Sequence, residues 1–446
     1  MTAVKESERE KCEAAALLNK DGGEEARPDP YAPPDGGWGW IVMVASFLCC
    51  LVLDGIAYVF GVFMGPMQEY YEVDYATMAG VGSVLSGTIQ LVGPFVALLT
   101  NLLGTRIVCI IGAAVSSAGF FLATYSPNVL VLLLLFGVVA GTGLGLMYVP
   151  AVVVVGHYFD KRRALATGFA VCGSGAGTFV LAPLASFLLT KLEWQGAVRV
   201  FAALCLACVF CGLTMKPLPT RPKQREIVAD GEAAEVTEKA PNCLMTVLES
   251  SCSPRLLRNI PFMLLCLSNL FATQGLYIPY SFIPVLAKER LCNASVNTTL
   301  LEGSASGEEG EDPCAEAAVA AAFLISIVGI CNTLCRILSG YVTDLPGVNS
   351  LVVTTLALGL GGIAPLAMPF CYSYASFVVV CVMFGSFLSA WCAVTSPAIV
   401  DICGIDLLTS GFGSLTFVRG FAALVGQFLY NVPFLLFTTF SPQVPR

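Results

Sequence analysis

Long apolar runs recur from about residue 38 to residue 436, each long enough to cross a hydrocarbon core that needs about 20 apolar residues. The composition agrees: 56% of residues are hydrophobic and 12% charged, where soluble domains carry roughly 25% charge. The chain reads as an all-α polytopic membrane protein. Nucleic-acid binding is excluded at the same step, because 23 Lys+Arg against 31 Asp+Glu give a net charge of −8 with no basic stripe. The first 30 residues are charged and polar rather than basic-then-apolar, so the first span is expected to double as the insertion signal.

The side chains offer little for bond-making chemistry. His157 is the single histidine, and no nucleophile–His–acid set can be assembled around it. Most of the 19 cysteines lie inside apolar runs, where Cys behaves as a small hydrophobe. Cys205, Cys208 and Cys211 have metal-like spacing but sit in a membrane segment without His or carboxylate neighbours. No metal, no cofactor and no enzymatic activity are expected.

The expected spans are 38–63, 78–103, 107–125, 129–155, 165–189 and 198–215, then 260–287, 315–342, 350–370, 375–400 and 407–436. They divide the chain into a tail (1–37), a six-span half (38–215), a charged linker (216–259), a half of about five spans (260–436) and a tail (437–446). Basic residues set the orientation. With the N-terminus in the cytoplasm, inside segments hold sixteen Lys and Arg, against four outside (Lys191, Arg199, Lys288 and Arg290). The two N-glycosylation sequons, at Asn293 and Asn297, fall in the long connection 288–313 that this topology places outside. Cys292 and Cys314 flank that connection and are candidates for a disulfide, the alternative being two free thiols. A weak internal echo links the halves. Gly340-x-x-x-Asp344 and Ala97-x-x-x-Asn101 both close spans at cytoplasmic ends, where a short acid or amide is expected to cap the next helix.

Two motifs identify a family. "PPDGGWGW" occupies 33–40, directly before the first span, and "GHYFDKRRALATGFAVCGSGAGTF" occupies 156–179. Together they resemble the monocarboxylate transporter family of the major facilitator superfamily, with weaker agreement from "MKPL" after span six and "IVDICGIDLLTSGFG" at 399–413. The resemblance covers about residues 33 to 426. It implies two helical halves related by a parallel repeat, a plasma-membrane location, symport, small organic anions as substrates and a single-span ancillary glycoprotein as partner. It also implies a role in the transport cycle for Arg163. The residues have plainer readings beside it. Trp38 and Trp40 suit an interfacial belt, and Gly168, Gly173, Gly175 and Gly177 allow close helix packing. Arg163, Asp35, Trp38 and Arg419 are carried as candidates for gating or the transport cycle.

Asp54, Arg336 and Arg419 lie well inside spans, where each charge costs at least a few kcal/mol and is a functional candidate by default. The resemblance places an Asp-x-x-x-Arg pair in span eight. Here the arginine is kept as Arg336 and the aspartate is replaced by Asn332, four residues earlier on the same helical face. A guanidinium there can grip a carboxylate in a two-pronged geometry. The coupling lysine of the family's proton-driven lactate carriers aligns with Tyr58, and Asp54 stands one turn before it. A cation is lost and an anion gained, which weakens the case for lactate and raises that for a zwitterion held by Asp54 and Arg336. A structural pair of Asp54 with Arg336 or Arg419 is the competing reading. Tyr277 and Trp391 complete the pocket candidates.

In the resembling family a Gly-Pro-Pro closes span eleven and a twelfth span follows. Here Gln427 follows Gly426 and ten residues remain after residue 436, so a shortened product of weak activity is expected. The functional expectation is a carrier of small organic anions or zwitterions; the alternative is a non-transporting receptor or regulatory subunit on the same fold.

Overall fold

The computed structural model describes residues 35–216, 256, 258–302 and 313–440. The expected tail 1–37 and linker 216–259 fall almost wholly outside the described residues, as do the side chains of Tyr277, Asn293, Asn297 and Cys314. The helices are α1 (Trp38–Tyr71), α2 (Tyr75–Leu91), α3 (Gly93–Leu103), α4 (Thr105–Ala123), α5 (Val129–Tyr158) and α6 (Arg163–Lys191). They continue with α7 (Trp194–Thr214), α8 (Ile260–Glu302), α9 (Pro313–Thr343), α10 (Ser350–Ala367), α11 (Tyr374–Cys403) and α12 (Leu408–Phe440). No strand occurs among the described residues. Every expected span falls on one of these helices or, for the second, on the pair α2–α3. By length and composition, 8 helices among the described residues can cross a membrane, or up to 9 with the bent pair counted as one span.

Three local features depart from the sequence reading. The second span is broken by a 42° bend at Val92. Pro94 lies in the first turn of α3, where its missing N–H cannot continue the ladder from α2. The connection carrying the sequons is not a loop as far as residue 302: α8 runs on through Asn293 and Asn297 to Glu302. Its cause is legible, since no Gly or Pro interrupts the chain between Pro284 and Gly303. Third, α5 contains a π-helical stretch, Leu133–Ala140, a local widening often found where a helix must re-aim side chains.

Packing follows the small residues. At Gly173 and Gly177 of α6, an added methyl would collide with the backbone carbonyls of Phe47 and Leu51 on α1, so these helices touch backbone to backbone. Two comparable seams join the first half to the second. Along α6–α9, a Cβ on Gly168 would lie 2.5 Å from the Arg336 carbonyl oxygen, and one on Gly340 would lie 2.5 Å from that of Ala164. Along α3–α12, a Cβ on Gly93 would lie 2.5 Å from the Gly413 carbonyl oxygen, and one on Gly413 would lie 2.5 Å from the Ala97 Cβ. A separate apolar core, centred on Phe377, Phe384, Ile283 and Leu324, ties α8 and α9 to α11 within the second half.

Candidate functional site

A cavity opens between the two halves, and its lining is drawn from both. The first half contributes Asp54 and Tyr58 from α1, Gln90 from α2 and Tyr148 from α5. The second contributes Thr273 from α8, Arg336 from α9, Trp391 and Cys392 from α11, and Arg419 from α12. Asp54 and Tyr58 are four residues apart, so both point from one face of α1. The empty space of this cleft is about 590 Å³, its opening to solvent included.

The two arginines are held differently. Arg419 is 3% exposed; its Nε donates to Asn269 Oδ1 at 2.7 Å and an Nη donates to Thr395 Oγ1 at 2.8 Å. Its guanidinium lies 4.5 Å from the centre of the Trp391 ring. These partners are neutral, so they orient the charge without cancelling it. Arg336 is 5% exposed, and its Nη1 donates across the seam to the Val171 carbonyl of α6 at 2.5 Å. Its buried Nε has no hydrogen-bond partner among the described residues, and neither has the Trp391 Nε1. Asp54 forms no ion pair with either arginine, because the ion pair found among the described residues joins Arg163 to Asp160. Two guanidinium groups and one carboxylate thus line one cavity without an ion pair within 4.0 Å, and charges inside membrane spans are functional candidates by default.

Both sequence motifs meet at one end of the bundle. The Asp35 carboxylate accepts from the Asp160 N–H at 2.7 Å and the Lys161 N–H at 3.0 Å, while the Asp35 N–H donates to the Tyr158 carbonyl at 3.2 Å. Trp40 packs edge-on against Phe159 with ring centres 5.1 Å apart. A methyl on Gly39 would crowd Phe159 and Tyr158 at 3.2–3.3 Å, which explains the small residue between the tryptophans. Trp38 Nε1 donates to the Thr214 carbonyl at 2.8 Å, and the Lys216 ammonium lies 4.0 Å from its ring centre. Arg163 braces the loop from within, donating to the carbonyls of Gly156 and Phe159 and pairing with Asp160 at 2.8 Å.

This end also carries the polar closure between halves. Asp344 accepts from the N–H groups of Ala164 at 3.0 Å and Leu165 at 2.7 Å, in the first turn of α6. The expectation that it caps the next helix is corrected: Asn349 caps α10, accepting from Leu351 N–H at 2.8 Å. The amides that Asp344 accepts from belong to the other half. Asn101 does the same in mirror sense, donating to Ser410 in the first turn of α12 at 3.4 Å. Burial pushes the Asp344 carboxyl above the usual carboxylate range, and the Leu165 and Ala164 amides with Arg163 pull it part-way back.

The Major Facilitator Superfamily profile matches residues 43–427, which spans both halves and the cavity between them. The chain belongs to the Major Facilitator Superfamily. It is a superfamily membrane transporter related to proteins named as monocarboxylate transporters. It is 29% identical over 424 residues to monocarboxylate transporter 12 of Xenopus laevis, covering 93% of this chain and 84% of that one. It is 29% identical to monocarboxylate transporter 3 of Gallus gallus (90% and 73% covered) and 27% identical to monocarboxylate transporter 14 of Homo sapiens (89% and 85%). Among solved structures, a mutant of the nucleoside transporter NupG shares the superfamily fold with a TM-score of 0.56 at 12% identity, over 88% of this chain and 90% of that one.

Within this superfamily frame, Asp54, Tyr58, Arg336, Trp391 and Arg419 lie together in the cavity. Arg419 thus sits apart from Arg163, Asp35 and Trp38, which are gathered at the motif end. Asn332 is buried at 7% exposure one turn from Arg336 and is not among the lining residues. Tyr277 lies outside the described side chains. Cys292 is disulfide-bonded, and the side chain of Cys314 lies outside the described set. Sequence reasoning missed Tyr148, Gln90, Thr273 and Cys392. Gln90 and Thr273 are polar residues in apolar helices and carried a signal, whereas a tyrosine and a cysteine in such helices did not.

Proposed function

We propose that this chain moves small organic anions bearing one carboxylate, or zwitterions, across the plasma membrane by alternating access. The observation that carries the reading is the Arg336 guanidinium, buried at the cavity wall with its Nε unengaged by the described residues. Charge bookkeeping favours an anion. Arg336 and Arg419 against Asp54 leave the lining one positive charge in excess, which a monocarboxylate neutralises. A zwitterion suits the same wall if its cationic end meets Asp54. Asp54 is the one carboxylate among the described lining residues, so it is the group proposed to carry any proton coupling.

Alternating access gives the seams their role. The motif end is closed by Asp344 on α6, Asn101 on α12 and the glycine contacts beside them. Positive-inside counting makes this the cytoplasmic end. Arg336 belongs to the seam as well as to the cavity: its carbonyl packs on Gly168 while its guanidinium reaches Val171. A carboxylate that draws the guanidinium away from Val171 would loosen the seam from inside. The test is uptake of labelled monocarboxylates, amino acids and amines at two pH values, with Arg336→Lys beside the wild type. Lysine keeps the charge but loses the planar fork, so affinity should fall roughly ten- to a hundredfold, about 1.5–3 kcal/mol, at unchanged surface level. Unchanged kinetics would remove Arg336 from the site.

A further inference from the structure

The cavity holds a thiol that the transport reading does not use. Cys392, adjacent to Trp391 on α11, lines the same space as Arg336 and Arg419, while Cys50 and Cys172 are buried outside the lining. Two further observations mark its surroundings as a place for an anion. Arg336 is 5% exposed with its Nε unpartnered among the described residues, and Trp391 is 2% exposed with its Nε1 unpartnered. Both atoms are N–H donors, and a buried donor without an acceptor is costly enough to favour a ligand that supplies one. The excess positive charge of the lining concentrates small anions in a confined cleft. Cys392 lines the same cavity as the Arg336 and Trp391 side chains.

We propose that Cys392 is a covalent modification site for small electrophilic carboxylates, an inference that rests on the reading of the cavity as a carboxylate site. Iodoacetate states the chemistry. The thiol gives its proton to water, the thiolate attacks the methylene carbon, the S–C bond forms, the C–I bond breaks and iodide leaves with the bonding pair. Nothing is oxidised or reduced. The adduct leaves a carboxylate tethered among the arginines, which occupies the site and stops uptake.

The experiment uses the full chain in proteoliposomes and reads the Cys392 peptide by mass spectrometry. Two probes of matched size are compared, anionic iodoacetate and neutral iodoacetamide, each rate divided by that reagent's rate with glutathione. Relative to glutathione, Cys392 should react at least about tenfold faster with iodoacetate than with iodoacetamide. Excess acetate should remove that preference in the wild type, and Arg336→Gln should remove it without competitor. Absence of labelling at Cys392 by either reagent overturns the proposal, and so does equal relative labelling by both. The two readings fail separately. Carboxylate uptake that depends on Arg336, without charge-selective labelling, sinks the modification site alone. Charge-selective, acetate-protected labelling in a chain that takes up none of the panel sinks the transport reading alone.

Discussion

On the proposed alternating-access reading, a single methyl group at Gly168 should shift this protein between its two access states. The Cβ of Gly168→Ala would sit 2.5 Å from the Arg336 carbonyl oxygen and 3.4 Å from the Gly340 Cα. Ordinary carbon–oxygen contacts lie at about 3.3–3.6 Å, so α6 and α9 must separate by most of an ångström or bend. Both obstacles are backbone, which cannot swing aside as a side chain can. Overpacking of this kind costs about 1–3 kcal/mol, and the penalty falls on the closed seam alone because an open seam has no clash. The closed-to-open ratio at the motif end should therefore fall by roughly 5- to 150-fold. The assay is a distance distribution between non-cysteine labels at Lys161 and Leu345, exposed positions on the two halves at that end. Gly359→Ala is the control, since nothing lies within 4 Å of its would-be methyl. Gly168→Ala should move the population to the longer distance, and Gly359→Ala should not. A wild-type distribution in Gly168→Ala would show that the α6–α9 seam does not govern closure.

Three further outcomes follow from the same contacts. Asp344 binds its proton more tightly in the closed state than an exposed carboxyl would, so closure is favoured at acidic pH and loses stability as pH rises through the raised value; Asp344→Asn should flatten that dependence in the same distance measurement. Asp35→Ala removes the acceptor for two loop amides and should lower stability in detergent by about 0.5–2 kcal/mol in a thermal melt, whereas Asp35→Asn, which keeps an oxygen and tolerates the positive φ of 45°, should lose less. If the end of α8 is external and glycosylated, glycosidase treatment will raise gel mobility, Asn293→Gln with Asn297→Gln will abolish the shift, and a tag there will be reachable without permeabilising cells.

Helices and cavity charges were legible for different reasons. Span positions follow from hydropathy alone, since lipid leaves a long apolar segment one way to satisfy its backbone. Arg336, Arg419 and Asp54 stood out because a charge in an apolar run has no cheap structural explanation. The docking of Asp35 on the 158–161 loop was not legible: each motif was visible as a string, but nothing in either string says that they touch. The bend at Val92 was signalled by Pro94, yet a proline within an apolar run does not announce whether its helix kinks or tolerates it; Pro183 sits inside α6 without ending it. The helical run through the sequons was readable from the missing Gly and Pro, and the glycosylation pattern argued the other way.

The internal echo has most to say about mechanism once the contacts are known. Gly340-x-x-x-Asp344 and Ala97-x-x-x-Asn101 are chemically unequal ends of similar segments, and each reaches the first turn of a helix in the opposite half. Asp344 receives two backbone N–H groups at a helix N-terminus, which favour its carboxylate form but offset only part of the burial that disfavours it. Asn101 makes one contact of 3.4 Å to a hydroxyl, near the limit of a useful bond. Neutral hydrogen bonds contribute about 0.5–1.5 kcal/mol and those to charged groups about 1.5–3, so the polar grip on α6 exceeds that on α12. The α3–α12 seam offsets this with close packing: a Cβ on Gly93 would lie 2.5 Å from the Gly413 carbonyl oxygen and one on Gly413 2.8 Å from that of Gly93, against 2.5 Å for Gly168 on α9. One seam thus responds to charge and pH through Asp344, and the other, whose Asn101–Ser410 contact is neutral, to packing. Arg336 belongs to the responsive seam, which puts the group proposed to grip the substrate on the side of the bundle where a change of charge has the most leverage on closure.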